Sequence, residues 1–155
     1  MEIRNATLKD TALLKELYNE LRAFEFSLLP KKARELQEYW HPKRTVSEVR
    51  KFLRSNKNAA FIAWENGKPA GFVSVKYYDT IEGGAREGQL DGLYVAEGFR
   101  DRKVGTKLLQ AAYAWFRGKK CRLAMLWVYS FNSLARGFYK KQGFTEVAQA
   151  LRRKI

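Results

Sequence analysis

The chain has 155 residues, 46% of them hydrophobic, which suits one domain with a core of its own rather than two large domains. Thirty Lys and Arg against sixteen Asp and Glu leave a net charge of +14, yet the 14% aromatic residues are spread along the chain, unlike a disordered polybasic tail. A lone cysteine, Cys121, and a lone histidine, His41, exclude an internal disulfide scaffold and speak against a zinc site, so no metal is expected. Apolar runs such as 124–128 reach only about five residues, where a membrane span needs roughly 20. Met1-Glu2-Ile3-Arg4 carries no apolar signal core, and the expectation is a cytoplasmic protein with no membrane contact.

In chain order, residues 2–5 read as a short strand. Thr7, with Asp10 three residues on, caps a first helix whose Leu14, Leu17, Leu21 and Phe24 recur at helical spacing. Residues 25–44 hold Pro30, Pro42 and the cluster Tyr39-Trp40-His41, and read as a loop with at most a helical turn. Thr45-Val46-Ser47-Glu48 has the form of a capping box before the stripe Val46, Val49, Phe52 and Leu53, so a second helix ends near Ser55. Strands over 59–65 and 70–78 flank Asn66-Gly67, a strong hairpin signal, and should pair antiparallel. Residues 79–88, with Gly83-Gly84, read as a loop, and 89–95 as a central strand apolar on both faces. Val104, Leu108, Leu109, Ala112, Trp115 and Phe116 predict a long helix. A strand over 122–129, a helix over 133–142 capped by Asn132 and closed by Gly143, and a last extended segment over 144–152 complete the order β-α-α-β-β-β-α-β-α-β. Nothing marks a linker, so residues 1–155 are expected to form a single domain.

The segment from Gly92 to Leu109 carries the chemistry. A buried strand leads into a basic loop, Arg100-Asp101-Arg102-Lys103, and at once into a helix opening Val104-Gly105-Thr106-Lys107. A helix start offers unpaired N–H groups and the positive end of the macrodipole, and the glycine admits an anion to the backbone. The absence of GxxxxGK[ST] and GxGxxG disfavours a P-loop and a Rossmann site, leaving a polyanion of another kind. The scattered positive charge is read as a solvated face rather than a nucleic-acid surface, although a basic nucleic-acid-binding protein is the rival that salt-dependent affinity would reveal.

Downstream, Asn132, Ala135, Phe138, Tyr139, Gly143 and Phe144 follow in an N-x-x-A-x-x-F-Y-x-x-x-G-F pattern. Together with Leu93-Tyr94-Val95 and the Arg100–Gly105 loop, this segment resembles the GNAT acetyltransferase superfamily, over residues 60–147. The resemblance implies a mixed α+β fold with a central, mostly antiparallel, splayed sheet flanked by helices. It implies acetyl-CoA as cosubstrate, with Leu93, Tyr94 and Val95 holding the pantetheine arm by their backbone. Arg100, Asp101, Arg102, Lys103, Val104, Gly105 and Thr106 would take the pyrophosphate, and Asn132 and Tyr139 would also meet the cofactor. One departure is Lys103, which stands where the family carries the first loop glycine.

The activity implied is N-acetyl transfer to an amine by direct attack in a ternary complex, with Tyr139 as general acid. For the base, Gln89, Asp91, Leu93 and Val95 are expected on one strand face, where relatives carry a glutamate; Asp91 is the first candidate and Glu87 the second, beside a base-free path through water. Phe24, Phe26, Tyr39, Trp40, Asp79, Glu82 and Glu87 should flank the amine. The acceptor's identity is open, a homodimer is compatible with the sequence, and a noncatalytic CoA-binding module is the second rival.

Overall fold

At the Asn66-Gly67 turn both residues have positive φ, 51° and 73°, which matches the right-handed twist of the strands it joins. It links β2 (Asn58–Glu65) to β3 (Lys68–Asp79) in antiparallel register from Glu65↔Lys68 onward. The computed structural model describes residues 1–79 and 85–155. These residues cluster into two compact units: Met1–Leu21 with Arg44–Trp127, and Arg22–Lys43 with Val128–Ile155.

The first unit contains the whole five-stranded sheet, in the order β1-β2-β3-β4-β5. β1 (Glu2–Asn5) and β4 (Arg86–Val95) pair antiparallel with β2 and β3, whereas β5 (Cys121–Leu126) runs parallel to β4. A parallel neighbour needs a crossover, and α4 (Val104–Gly118) supplies it. On one face Ala60, Ile62 and Phe72 pack with Leu14, Leu17 and Tyr18 of α1 (Thr11–Leu28) and Val49 of α3 (Val46–Arg54). Burial of each such large apolar side chain contributes about 1.5–3 kcal/mol. Val73, Val75 and Tyr77 alternate to the other face, where α4 buries Leu108, Leu109, Ala112 and Phe116. Gly88 is required there, because a Cβ would collide with the Phe116 ring.

Two irregularities set the geometry of β4. Ser74 pairs with Gly92 but Val75 with Leu90, so Asp91 is the extra residue of a β-bulge. The bulge overturns the expected strand face: Gln89 pairs with Lys76 on the α1 side, while Leu93 and Val95 pair with Val73 and Gly71 on the α4 side. β5 pairs with β4 from Arg86↔Cys121 to Leu90↔Leu126, so the sheet splays and, among the described residues, Asp91–Val95 have no strand on that edge.

Other expectations are corrected as well. Residues 25–44 are largely helical: α1 continues to Leu28, and α2 spans Lys31–Trp40 directly after Pro30, which suits the position before a first turn. β4 begins at Arg86, inside the expected 79–88 loop, of which 80–84, with Glu82 and Gly83-Gly84, lie outside the described residues. β5 stops at Leu126, and no strand forms over 144–152. In the second unit α5 (Ser133–Lys141) is capped as expected, Asn132 Oδ1 accepting from Ala135 N at 3.1 Å, and Gly143 closes it with φ +90°.

Candidate acyl-CoA site

The end of β4 passes through a 3₁₀ turn over Glu97–Phe99 into α4. Arg100 Nε donates back to the Val95 carbonyl at 3.3 Å, tying the loop to the strand. Asp101 and Lys103 both adopt left-handed φ, 61° and 60°, so the residue replacing the family's glycine keeps a glycine-like backbone. Lys103 sits at the N-cap, and its side chain makes no cap hydrogen bond. The N–H groups of Val104, Gly105 and Thr106 therefore have no intrahelical acceptor and none from the cap residue. Arg102 reaches Glu65 at 3.5 Å and lies over the Phe99 ring at 5.7 Å, which holds a cation at the loop. Leu93, Tyr94 and Val95 occupy the unpartnered edge just upstream. Burial, with Glu20 nearby, raises the Tyr94 phenol above its ordinary value.

On the α1 side of the sheet Asp91 is the centre of a polar cluster. Its carboxylate accepts from Lys76 Nζ at 2.9 Å, Tyr18 Oη at 3.2 Å and Arg44 Nη2 at 3.4 Å. Burial, reinforced by the Asp91 charge, pushes the Tyr18 phenol far up, so it remains a donor. Burial works to lower the Lys76 ammonium, but Asp91 prevails and holds it above its usual value. Arg44 stacks over the Tyr18 ring at 5.0 Å, and its backbone is clamped by Asn19, whose carboxamide donates to Arg44 O at 3.2 Å and accepts from Arg44 N at 2.9 Å. Glu87 lies further along β4, between Tyr78 and Leu123 in register. Asp79, expected to receive an ammonium, is already paired with Lys57 at 3.1 Å and Arg86 at 2.8 Å.

In the second unit Tyr139 lies on α5 between Phe138 and Phe144, ring centroids 5.4 and 5.6 Å away. Asn132, which caps the same helix, is buried. Tyr39 and Trp40 end α2 as exposed aromatics. Here too lie groups that carry no signal in the sequence: His41 Nδ1 is 3.1 Å from Tyr129 Oη, and Tyr129 also reaches Gln37 Oε1 at 3.4 Å. Burial pushes the Glu25 carboxyl up to about 7 and, with the Glu25 charge, the Tyr129 phenol up to about 12. The helical phase of Arg22, Glu25 and Phe26 would have marked Glu25 only had α1 been carried past Phe24. Tyr18, Asn19 and Arg44 had no comparable local signal.

Among the described residues no group of three His, Cys, Asp or Glu side chains is placed to hold a metal, and no helix is long and apolar enough to cross a membrane. The first unit thus holds Glu87, Asp91, Leu93–Val95 and the loop 100–106, and the second holds Asn132 and Tyr139.

A family model described as Acetyltransferase (GNAT) family matches residues 14–144. An uncharacterized N-acetyltransferase of Methanocaldococcus jannaschii is 30% identical over 149 residues; the match takes in 93% of this chain but 60% of that protein's length. The uncharacterized N-acetyltransferase YhfO of Bacillus subtilis is 30% identical over 150 residues, 94% of this chain and 91% of its own. Among solved structures, the BH1408 protein of Bacillus halodurans, as a tetramutant, superposes with a TM-score of 0.81 at 18% identity over the full length of both chains. The aminoglycoside N-acetyltransferase AAC(6')-Iy, in complex with CoA, gives 0.76 at 21% identity over 99% of this chain and 93% of its own. With the family match running from α1 through α5, and a relative 30% identical across nearly all of both chains, the chain belongs to the GNAT acetyltransferase family.

Proposed function

We propose that this acetyltransferase moves the acetyl group of acetyl-CoA to a primary amine by direct attack within a ternary complex. One observation carries the reading: an uncapped helix start, with three free N–H groups and the positive end of the α4 macrodipole, directly follows a strand edge that the sheet leaves unpaired. A pyrophosphate suits the first, and the amide-rich pantetheine arm suits the second, since backbone donors and acceptors at an open edge can add hydrogen bonds as a further strand would. The cosubstrate supplies the thioester. The loop 100–106 holds its phosphates, with Arg102 and Lys103 adding charge and Val104, Gly105 and Thr106 adding N–H donors; Asn132 contributes to the cofactor arm.

In this reading Leu93, Tyr94 and Val95 orient the acyl carbonyl through their backbone. Proton movement falls to three side chains. An ammonium acceptor with a pKa near 10.4 must lose a proton before it can attack, and Asp91 takes that proton directly or through water, Glu87 being the alternative. Tyr139 gives a proton to the departing thiolate. As the tetrahedral adduct collapses the C–S bond breaks, nitrogen gives up its second proton to water and the phenol is reprotonated from solvent, so one acetyl group is moved and one net proton is released.

The test is CoA thiol release over an amine panel, for wild type and Tyr139→Phe, against pH at saturating acetyl-CoA. The substitution removes one oxygen and little volume. Loss of a positioned donor predicts a fall on the order of 10²-fold to 10⁴-fold in turnover, with much smaller change in apparent acetyl-CoA affinity. Retention of most wild-type turnover, with chemistry rate-limiting, would return Tyr139 to an aromatic packing role and give the proton to water.

A further inference from the structure

Resting on the acetyl-transfer reading, we infer that the acceptor is a small amine carrying its own anionic group, a carboxylate or phosphate a few atoms from the nitrogen, with Arg44 as the residue that reads the anion. Arg44 is held in place at both its backbone and its side chain. Its backbone N–H and carbonyl are both bound by the single carboxamide of Asn19, at 2.9 and 3.2 Å, which anchors the main chain one residue before the α3 cap. Its guanidinium lies over the Tyr18 ring at 5.0 Å, and Nη2 makes one long contact, 3.4 Å, to Asp91. A guanidinium has five N–H donors in a planar fork. A fork held at both ends with most donors still to be used is pre-organised for a planar or tetrahedral oxyanion.

The local charge points the same way. Asp91 faces two cations, Lys76 at 2.9 Å and Arg44 at 3.4 Å, so the trio of side chains carries one positive charge in excess, with Glu48, held in its own capping box, the further carboxylate that Arg44 feels. An amine with a nearby anion is complementary to this trio, since the ammonium can share Asp91 while the anion meets Arg44. An acceptor with several ammonium groups meets two resident cations and a chain at +14. The aminoglycoside acceptors named for structural neighbours are therefore the wrong charge class for this cluster.

The experiment measures kcat and KM by CoA thiol release, at saturating acetyl-CoA, with glutamate, phosphoethanolamine, 2-methoxyethylamine, spermidine and kanamycin, in 0.05 and 0.5 M KCl. At low salt kcat/KM for glutamate or phosphoethanolamine should exceed that for spermidine and kanamycin by about tenfold or more, and the gap should narrow with salt. The first two compounds separate a carboxylate reader from a phosphate reader. Arg44→Gln should raise KM for the preferred anionic amine by about tenfold, while the fall in kcat/KM with 2-methoxyethylamine, which reports only the change around Asp91, should be several-fold smaller. Asn19→Ala should move KM in the same direction by less, and Arg44→Lys should fall between Gln and wild type. Polycations turned over as well as anionic amines, or an equal loss on every amine in Arg44→Gln, would overturn the inference and leave acetyl transfer standing. Thiol release with no amine at all would remove the transfer reading and this one with it. If Arg44→Gln fails to fold, the wild-type panel and its salt dependence still decide.

Discussion

Two helices of the first unit begin in opposite ways. α3 finishes its own start: Thr45 Oγ1 accepts from Glu48 N at 3.3 Å, and the Glu48 carboxylate accepts from Thr45 N at 2.8 Å, a reciprocal box. α4 has no such partner. Its N-cap is Lys103 in a left-handed conformation, and the residue matching Glu48, three past the cap, is Thr106. A helix end that the chain closes itself contributes to stability and nothing else. An end left open after a strained, cationic turn sacrifices some stability and keeps its donors for a ligand. The difference teaches how this chain divides its helix ends: α3 closes its own donors, and α4 leaves its first N–H groups for the anion we propose it receives.

The sharpest way to break the contrast is to give α4 the acid that α3 has. Thr106→Glu should lower acetyl-CoA affinity on the order of 100-fold by calorimetric titration, because the new carboxylate, placed to accept from Lys103 N as Glu48 does from Thr45 N, sets a negative charge beside the free N–H groups and repels phosphate. The same variant should melt no lower than wild type without ligand, since an acid in the first turn is favourable by about 0.3–1 kcal/mol. Undiminished affinity would move the phosphate site elsewhere. Reversing charge in Arg102→Glu with Lys103→Glu should weaken binding by about tenfold and flatten its salt dependence; an unchanged affinity would assign the phosphates to backbone amides alone.

Opening α3 should do the converse. Thr45→Ala should cost about 1 kcal/mol, a fall in Tm of roughly 2–4 °C, with acetyl-CoA affinity untouched. This cap also has a pH signature. The Thr45 backbone N–H and hydroxyl hold the Glu48 carboxyl below its usual value, so its contribution is complete above the ordinary glutamate range and fades as pH falls through the depressed value. Wild type and Glu48→Gln should therefore converge in stability at the acid end, and a constant gap by denaturant titration would deny the box its carboxylate. The smallest effect is expected of Lys103→Gly, which relieves a left-handed side chain while loosening the unfolded chain. A net gain of a few tenths of a kcal/mol to about 1 kcal/mol should appear; a loss would mean the lysine side chain anchors the turn.

The α4 start was legible in the sequence because strand edge, basic loop, glycine and helix are consecutive, and because Val104 to Phe116 repeat so regularly. Asp91 was legible as a carboxylate but not as to its surroundings. A bulge is set by how β3 and β4 pair, and alternation along one strand cannot show an extra residue, so Leu93 and Val95 were expected on the wrong face for Asp91. α2 was hidden by its flanks: Pro30, Pro42 and the aromatics suggest a loop, although Lys31-Lys32-Ala33-Arg34-Glu35-Leu36-Gln37-Glu38 are nearly all good helix formers. Arg44 was the hardest to see. Beside a capping box it looks like one more solvated cation, and only Asn19, 25 positions earlier, makes it a fixed one. The last extended segment failed for the opposite reason, since 144–152 has strand-like residues but finds no strand to pair with among the described residues.

The strand order bears on how the sheet is made in time. β2 and β3 meet through a two-residue turn, so their pairing closes almost no loop and belongs to the microsecond class of events. β1 must wait: its Glu2 pairs with Trp64, across roughly sixty residues of chain, and the entropy of closing that loop is met only once the hairpin offers an edge. β5 waits longer still, because its parallel pairing with β4 requires α4 to have folded between them. On an emerging chain the first strand is thus made early and seated late, and the long loop from β1 to β2, not the fast Asn66-Gly67 turn, governs when it is captured. Lengthening that long loop would delay β1 while leaving every contact of the finished sheet in place.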